Sequence, residues 1–286
     1  MSVSLGADVL ARYERFTLYN SPYPAHEEGH AVDLYPATGA PSPVAGEIIE
    51  TRTVAAPSRP YAVDHDHLIV VDTGEHLVRI LHVEPGVEPG ERVAVGDELG
   101  ELVRSGYFAP WVDNHLHVGF RPPDLDPVRA SGSLRFELDI EVEPLTWDGS
   151  GRVVETGDTY ALLDSPSHPA PGDRFAGIAA RFGVEETNLA VLDGGLPHYG
   201  GGGLLNTTVE ESDTAGPVIL AGAEVGHAQG RDVTWSEITV LANGQPITGL
   251  SLFCARDTEF GAKLICPDGT FEVGDRVTVE IRTNDP

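Results

Sequence analysis

Short runs in which β-branched, leucine and aromatic side chains alternate with polar ones recur along nearly the whole chain. HLIVVDT (67–73), HLVRILHV (76–83), SLRFELDIEV (133–142), DVTWSEITVL (232–241) and RVTVEIRT (276–283) are the clearest. A period of two puts the apolar side chains on one face of an extended segment, so each run predicts a strand. Gly, Pro, Asp and Asn stand between the runs, and the 33 glycines and 22 prolines suit a chain of tight turns and sheet edges rather than helices. Two short segments carry helical spacing instead: residues 7–15, and residues 173–182 with the sequence DRFAGIAARF. The expectation is an all-β protein.

A change of character follows the DPV segment at 126–128, where the polar stretch ASGS precedes a new strand at Leu134. The histidines divide there as well. Eight of the eleven lie before it, and His168, His198 and His227 are scattered after it. Two domains are therefore expected, 1–130 and 131–286, the second β-rich and without an assignable role. The phrases at 89–100 and 271–281 share a V-x-x-G-D turn, which reads as two ordinary β turns and not as a repeat. The glycine-rich LDGGLPHYGGGGLL (192–205) lacks the strand and helix that flank a phosphate loop. It reads as a flexible or tightly packed loop.

Composition changes the picture mainly through charge. The 18 basic residues include a single lysine, Lys263, against 45 Asp and Glu, giving a net charge of −27. Nucleic acid and anionic membrane surfaces call for basic patches, so neither is an expected partner. A surface this acidic repels itself in dilute buffer and suits high salt, where screening lengths shrink to ~3 Å at 1 M, so a salt-loving source is expected. Neither a signal peptide nor a run approaching the ~20 apolar residues of a membrane helix is visible, and the expected location is the cytoplasm. Cys254 and Cys266 sit in segments that look like the arms of a hairpin. Two cysteines make no disulfide framework, and reduced core thiols are expected.

The chemistry gathers in the first domain. His115 and His117, in NHLHVGFRP, stand one residue apart and share a strand face, a ready pair for a metal or a proton. Before them come GHAVDLYP (29–36), with His30 and Asp33, and His82, which ends an apolar run in RILHVEPG. His65, His67 and His76 lie in a polar, acidic stretch and are expected to be solvated.

In that order these segments resemble the lysostaphin-type (LytM-like) zinc metallopeptidases, the murein endopeptidase family. The resemblance rests on Asp33 and its neighbours, and on Pro43-Val44-Ala45-Gly46-Glu47-Ile48. It continues with His82 leading into Val87 through Val93 and Gly96-Asp97-Glu98-Leu99-Gly100, and ends with HLH-hydrophobic-x-x-R at His115 to Arg121. It covers roughly residues 25 to 130. It implies a duplicated hybrid motif fold, β-sandwich or barrel-like, and a Zn2+ held by His30, Asp33 and His117. His115 and His82 then face the open position, as general base or transition-state stabiliser, in hydrolysis of a peptide or amide bond by zinc-activated water. One departure stands out: the family spaces its first ligands as H-x-x-x-D, but His30 is three residues before Asp33 and Gly29 occupies the fourth. On a regular strand His30 and Asp33 face opposite sides, so a bulge or turn is needed between them, or a substitute such as His26 or Glu28.

The same fold serves sugar-phosphotransferase IIA domains, for which His30 and His82 would be the facing pair, but these have no use for HLH. A lipoyl carrier displays a lysine at a hairpin tip, and Lys263 lies outside the matching segment. The competing reading of another class is a non-catalytic binding or scaffold protein with a degenerate metal site.

Overall fold

The computed structural model describes residues 2–129, 131–183, 185, 187–205, 214–269 and 271–284. It is all-β, with about half of the chain in strands and 3% in helix. No helix of the described residues is long and apolar enough to cross a membrane. The chain packs as two units: Met1–Phe16 with Gly29–Ile140, and Thr17–Glu28 with Glu141–Pro286.

The first unit is built on an antiparallel sheet in which Val32–Tyr35, Leu116–Arg121, Leu77–Leu81, His65–Asp72, Gly46–Ala55 and Arg92–Val93 lie side by side in that order. Register turns the sequence alternation into two different faces. Val32, Val118, Ile80 and Ile69 pair across four neighbouring strands, and all are fully buried. One residue on, the same pairing brings Asp33, His117, Leu81 and Leu68 into a row on the opposite face. The apolar row makes core, each buried aliphatic contributing roughly 1.5–3 kcal/mol. The other row carries the chemistry.

Ser2–Gly6 pairs in parallel with Arg135–Asp139, which ties both ends of this unit together. Where the sequence suggests one cut at 130/131, packing thus divides the chain at Ile140 and Glu141 and gives residues 17–28 to the second unit. Of the expected helix at 7–15, a single turn, Ala7–Leu10, is helical, and Arg15–Thr17 is strand. His67 is buried, 7% exposed, rather than solvated, because it lies on the strand His65–Asp72 with Thr53 paired opposite. His65 stays partly exposed.

In the second unit, Phe175–Phe182, Leu189–Leu196, Gly201–Leu205, Asp232–Trp235, Ala223–Gln229 and Ala215–Leu220 pair in succession, and the last pairs back to the first. This closes a six-stranded antiparallel barrel, which leaves these strands no open edge. Residues 173–182, expected as helix, thus supply a strand. Its run FAGIAA is buried without interruption, and a short continuously buried run has no period that separates strand from helix. The glycine-rich stretch is likewise two barrel strands, with Gly194 opposite Gly202 and Asp193 opposite Gly203. Glycine is needed there because a Cβ on Gly203 would lie 2.2 Å from the Tyr19 ring.

Tyr19 belongs to the segment 17–28, and its contacts explain why that segment packs here. Asp193, fully buried, accepts hydrogen bonds from the Thr17 hydroxyl, from Leu18 N at 2.6 Å and from Tyr19 N at 3.3 Å. The Tyr19 hydroxyl donates to Asp232 at 2.7 Å and accepts from Arg231 Nε at 2.9 Å. Asn20 Nδ2 donates to Ser251 Oγ at 2.7 Å and to the Leu252 carbonyl at 3.1 Å.

Cys254 and Cys266 are free and buried, and burial raises both thiol pKa values. Cys254–Ala255 pairs with Phe175–Phe182, and Lys263–Ile265 with Gly249–Leu252 and Tyr160–Leu163. Lys263 is buried too, its ammonium 4.3 Å from the Tyr160 ring centroid, a cation–π contact. The two phrases, which share Val-Gly-Asp, form the same turn: Asp97 accepts from Ala94 N and Asp275 from Glu272 N, with Gly96 and Gly274 at positive φ.

Candidate metal centre

Asp33 and His117 are direct partners on neighbouring antiparallel strands, so their side chains rise together from one face. His117 Nδ1 lies 2.9 Å from Asp33 Oδ1. His115 stands two residues before His117, and its Nε2 is 3.4 Å from Asp33 Oδ2. Each oxygen of this nearly buried carboxylate is thus turned to one imidazole of the pair.

The tautomer of His115 sharpens the arrangement. Its Nδ1 sits 2.8 Å from the Asp113 carbonyl, an acceptor, so Nδ1 carries the proton. Burial, opposed by the Asp33 charge, pushes its pKa down to about 4, and the ring is neutral at ordinary pH. Nε2 therefore presents a lone pair to a carboxylate oxygen. Two acceptors facing each other at this distance are relieved by a proton or a cation between them. The ring is clamped by Phe108, stacked at 4.6 Å, and by Tyr35 at 5.0 Å, with the Arg15 guanidinium over the far ring at 4.1 Å. Arg15 also pairs with Asp113 at 2.5 Å, which secures the residue whose carbonyl fixes the tautomer.

His82 comes from the end of the neighbouring strand, directly after Leu81, the residue paired with His117. Its φ of 72° is a left-handed backbone that non-glycine residues seldom adopt. The turn brings its ring to 5.0 Å from His115 and 5.9 Å from His117, centroid to centroid. Asp66, fully buried on the same sheet face, holds it there. The Asp66 carboxylate accepts from His82 Nδ1 at 2.6 Å, His82 N at 3.1 Å, His67 N at 2.7 Å and Ser105 Oγ at 2.9 Å. Burial raises the Asp66 pKa, but the hydrogen bonds from His82, His67 N and Ser105 oppose it and leave it lowered. An ionised Asp66 keeps the His82 proton on Nδ1, so Nε2 is free to accept.

Of the residues singled out from sequence, Asp33, His82, His115 and His117 come together. His30 precedes the strand that begins at Val32, and Gly29 before it has φ 62°. Sequence reasoning missed Asp66, Ser105, Phe108 and Tyr35. Asp66 left a signal: it shares the parity of Leu68 and Val70, an acid in register with a buried apolar face.

Both halves of the chain match models of one family. Residues 4–138 match "Domain of unknown function (DUF8155) N-terminal domain" and residues 143–282 match its C-terminal domain. No curated protein matches. Among solved structures the chain is similar to the catalytic domain of the antimicrobial peptidase lysostaphin from Staphylococcus simulans, at 22% identity and a TM-score of 0.29, over 44% of this chain and 93% of that one. It is also similar to lysostaphin solved by NMR in solution, at 16% identity and a TM-score of 0.27, over 95% of this chain and all of that one.

Proposed function

We propose that the first unit is a zinc-dependent hydrolase of peptide or amide bonds. The observation that carries this is the Asp33 carboxylate with one oxygen on each imidazole of the His115/His117 pair. The donor set fits zinc. A carboxylate oxygen and imidazole nitrogens are the ligand types that zinc takes, and here one carboxylate would share the ion with His117, whose Nδ1 is 2.9 Å from Asp33 Oδ1. Asp33 and His117 would hold the ion, with a third ligand from the histidines ahead of the Val32 strand. His30 is the residue the resemblance assigns, one position out of the motif's spacing, and His26 is its substitute. When bound, zinc lowers the pKa of a water to ~7 and polarises the scissile carbonyl.

The remaining steps belong to this chain's own groups. His115 Nε2, unprotonated and enclosed, takes a proton and returns it to the leaving amine. His82, oriented by Asp66, offers the second imidazole toward the developing charge. Phe108 and Tyr35 keep bulk water from His115.

A panel of peptides and N-acyl amides, offered to zinc-loaded protein in high salt, tests the reading. Hydrolysis that a chelator stops and zinc restores is expected. Activity that survives metal removal contradicts the role of zinc, and no hydrolysis of any substrate by protein carrying a full equivalent of zinc favours a scaffold that has kept the fold.

A further inference from the structure

The strand that carries His115 and His117 continues on the same face to Gly119 and Arg121. Gly119 pairs with Arg79 on the neighbouring strand, and Arg121 pairs with Leu77. Two guanidinium side chains therefore share the face of Asp33 and His117, at neighbouring rows of the sheet. Both are buried, Arg79 at 8% exposure and Arg121 at 1%, and the Nε of each is enclosed without a hydrogen-bond partner.

Arg121 has evident work to do. Its Nη1 donates to the Asp126 carbonyl at 2.9 Å and its Nη2 to the Arg129 carbonyl, so it fastens the loop that follows the strand. Arg79 has no such employment. Neither arginine forms an ion pair with a carboxylate among the described residues. The acidic side chain whose charge reaches them is Asp126, and its carboxylate accepts from Val128 N and lies 3.8 Å from Arg129 Nε. Burying two cations side by side without a counter-charge is unfavourable unless an anion joins them.

The surroundings offer a further donor. Over Gly119 the space is taken by Ser133, whose hydroxyl comes to 2.9 Å from where a Cβ would stand. Leu68, Val70, Leu77 and Leu81 make an apolar floor beside Arg79. Burial and the neighbouring Arg121 charge lower the Arg79 pKa to about 10, which leaves it a cation.

We infer that Arg79, with Arg121 and Ser133 beside it, is an anion subsite for the free carboxylate of the substrate's own C-terminus. Gly119 lies two residues along the strand from His117, ~7 Å, and an extended peptide covers that in about two residues. The substrate class is thus a short acyl peptide whose carboxylate stands about two residues beyond the bond cleaved. Bidentate pairing with a guanidinium recognises it. The inference rests on the hydrolase reading for the word substrate, but not for the site itself.

The test is binding of N-benzoyl-glycylglycine to the full chain, zinc-free and in high salt, read by the Nε–H NMR signals of Arg79 and Arg121. A saturable shift of the Arg79 signal is expected, with at least tenfold weaker binding of the C-terminal carboxamide and of sulfate. Arg79→Met, or Arg79→Gln if the first does not fold, should abolish binding. The inference is overturned if there is no shift, if the carboxamide or sulfate binds equally well, or if binding persists in the variant. The readout needs neither metal nor hydrolysis, so its failure leaves the zinc reading standing, and an inactive enzyme leaves the subsite standing.

Discussion

Replacing Asp193 by asparagine tests the packing of the second unit in one measurement. Asp193 is fully buried, and burial pushes its pKa up to about 6. The opposing influences are hydrogen bonds from Thr17, Leu18 N and Tyr19 N and the charge of His26. The folded chain therefore keeps this proton to about pH 6, while the unfolded chain releases it near 3.8. Between those values the folded state binds more protons, so the stability contributed by this group is fully present below the lower one. It falls as pH rises through the window and is gone above it. Two pH units at ~1.36 kcal/mol each make the loss about 3 kcal/mol. Asparagine occupies nearly the same volume, has no charge to bury and keeps an acceptor for the Leu18 and Tyr19 N–H groups. Urea denaturation of both proteins at fixed high salt, from about pH 4 to pH 7, should show the wild type losing ~3 kcal/mol relative to the variant. Parallel stability curves would refute the reasoning, because they would mean that Asp193 is ionised and paired throughout.

Other predictions follow from single contacts. Asp66→Asn should retain zinc but lose hydrolysis at least tenfold, with the His82 proton no longer confined to Nδ1 by 15N NMR; an unchanged tautomer contradicts the orienting role. Asp66→Ala strands four donors and should cost about 3 kcal/mol or more in chemical denaturation. Gly100→Ala puts a Cβ 1.9 Å from the Glu84 carbonyl at φ 146°, and should cost roughly 2–4 kcal/mol in urea denaturation. With a net charge of −27, the urea midpoint should rise steadily as salt is raised from dilute buffer to ~1 M; a flat response removes the argument for a high-salt setting.

The sequence disclosed the parts whose information is local. Alternation revealed the strands of the first unit, and HLH with Asp33 became a site because the two strands pair in register at His117 and Asp33. What it concealed depends on partners far away. Residues 17–28 follow a strand of the first unit, yet Asp193, Asp232 and Ser251 draw them into the second. Ser2–Gly6 meets Arg135–Asp139 across the whole first unit, so the polar ASGS stretch looked like a boundary while pairing continued beyond it. Within the 173–182 segment the closed barrel buries residues 175–180 without interruption, and such a run shows no face. The early ligand was ambiguous for a related reason. One residue of spacing separates His30 from the motif, and Gly29 at positive φ breaks the strand alternation that would place it.

Metal content tests the central claim most directly. Protein incubated with zinc in high salt and freed of excess should carry close to one equivalent. His117→Ala should carry almost none, His115→Ala should keep its zinc without activity, and alanine variants of His26 and His30 should differ, with metal lost only in the one that supplies the third ligand. Less than about a tenth of an equivalent in the wild type, or equal retention by His117→Ala, would contradict the account.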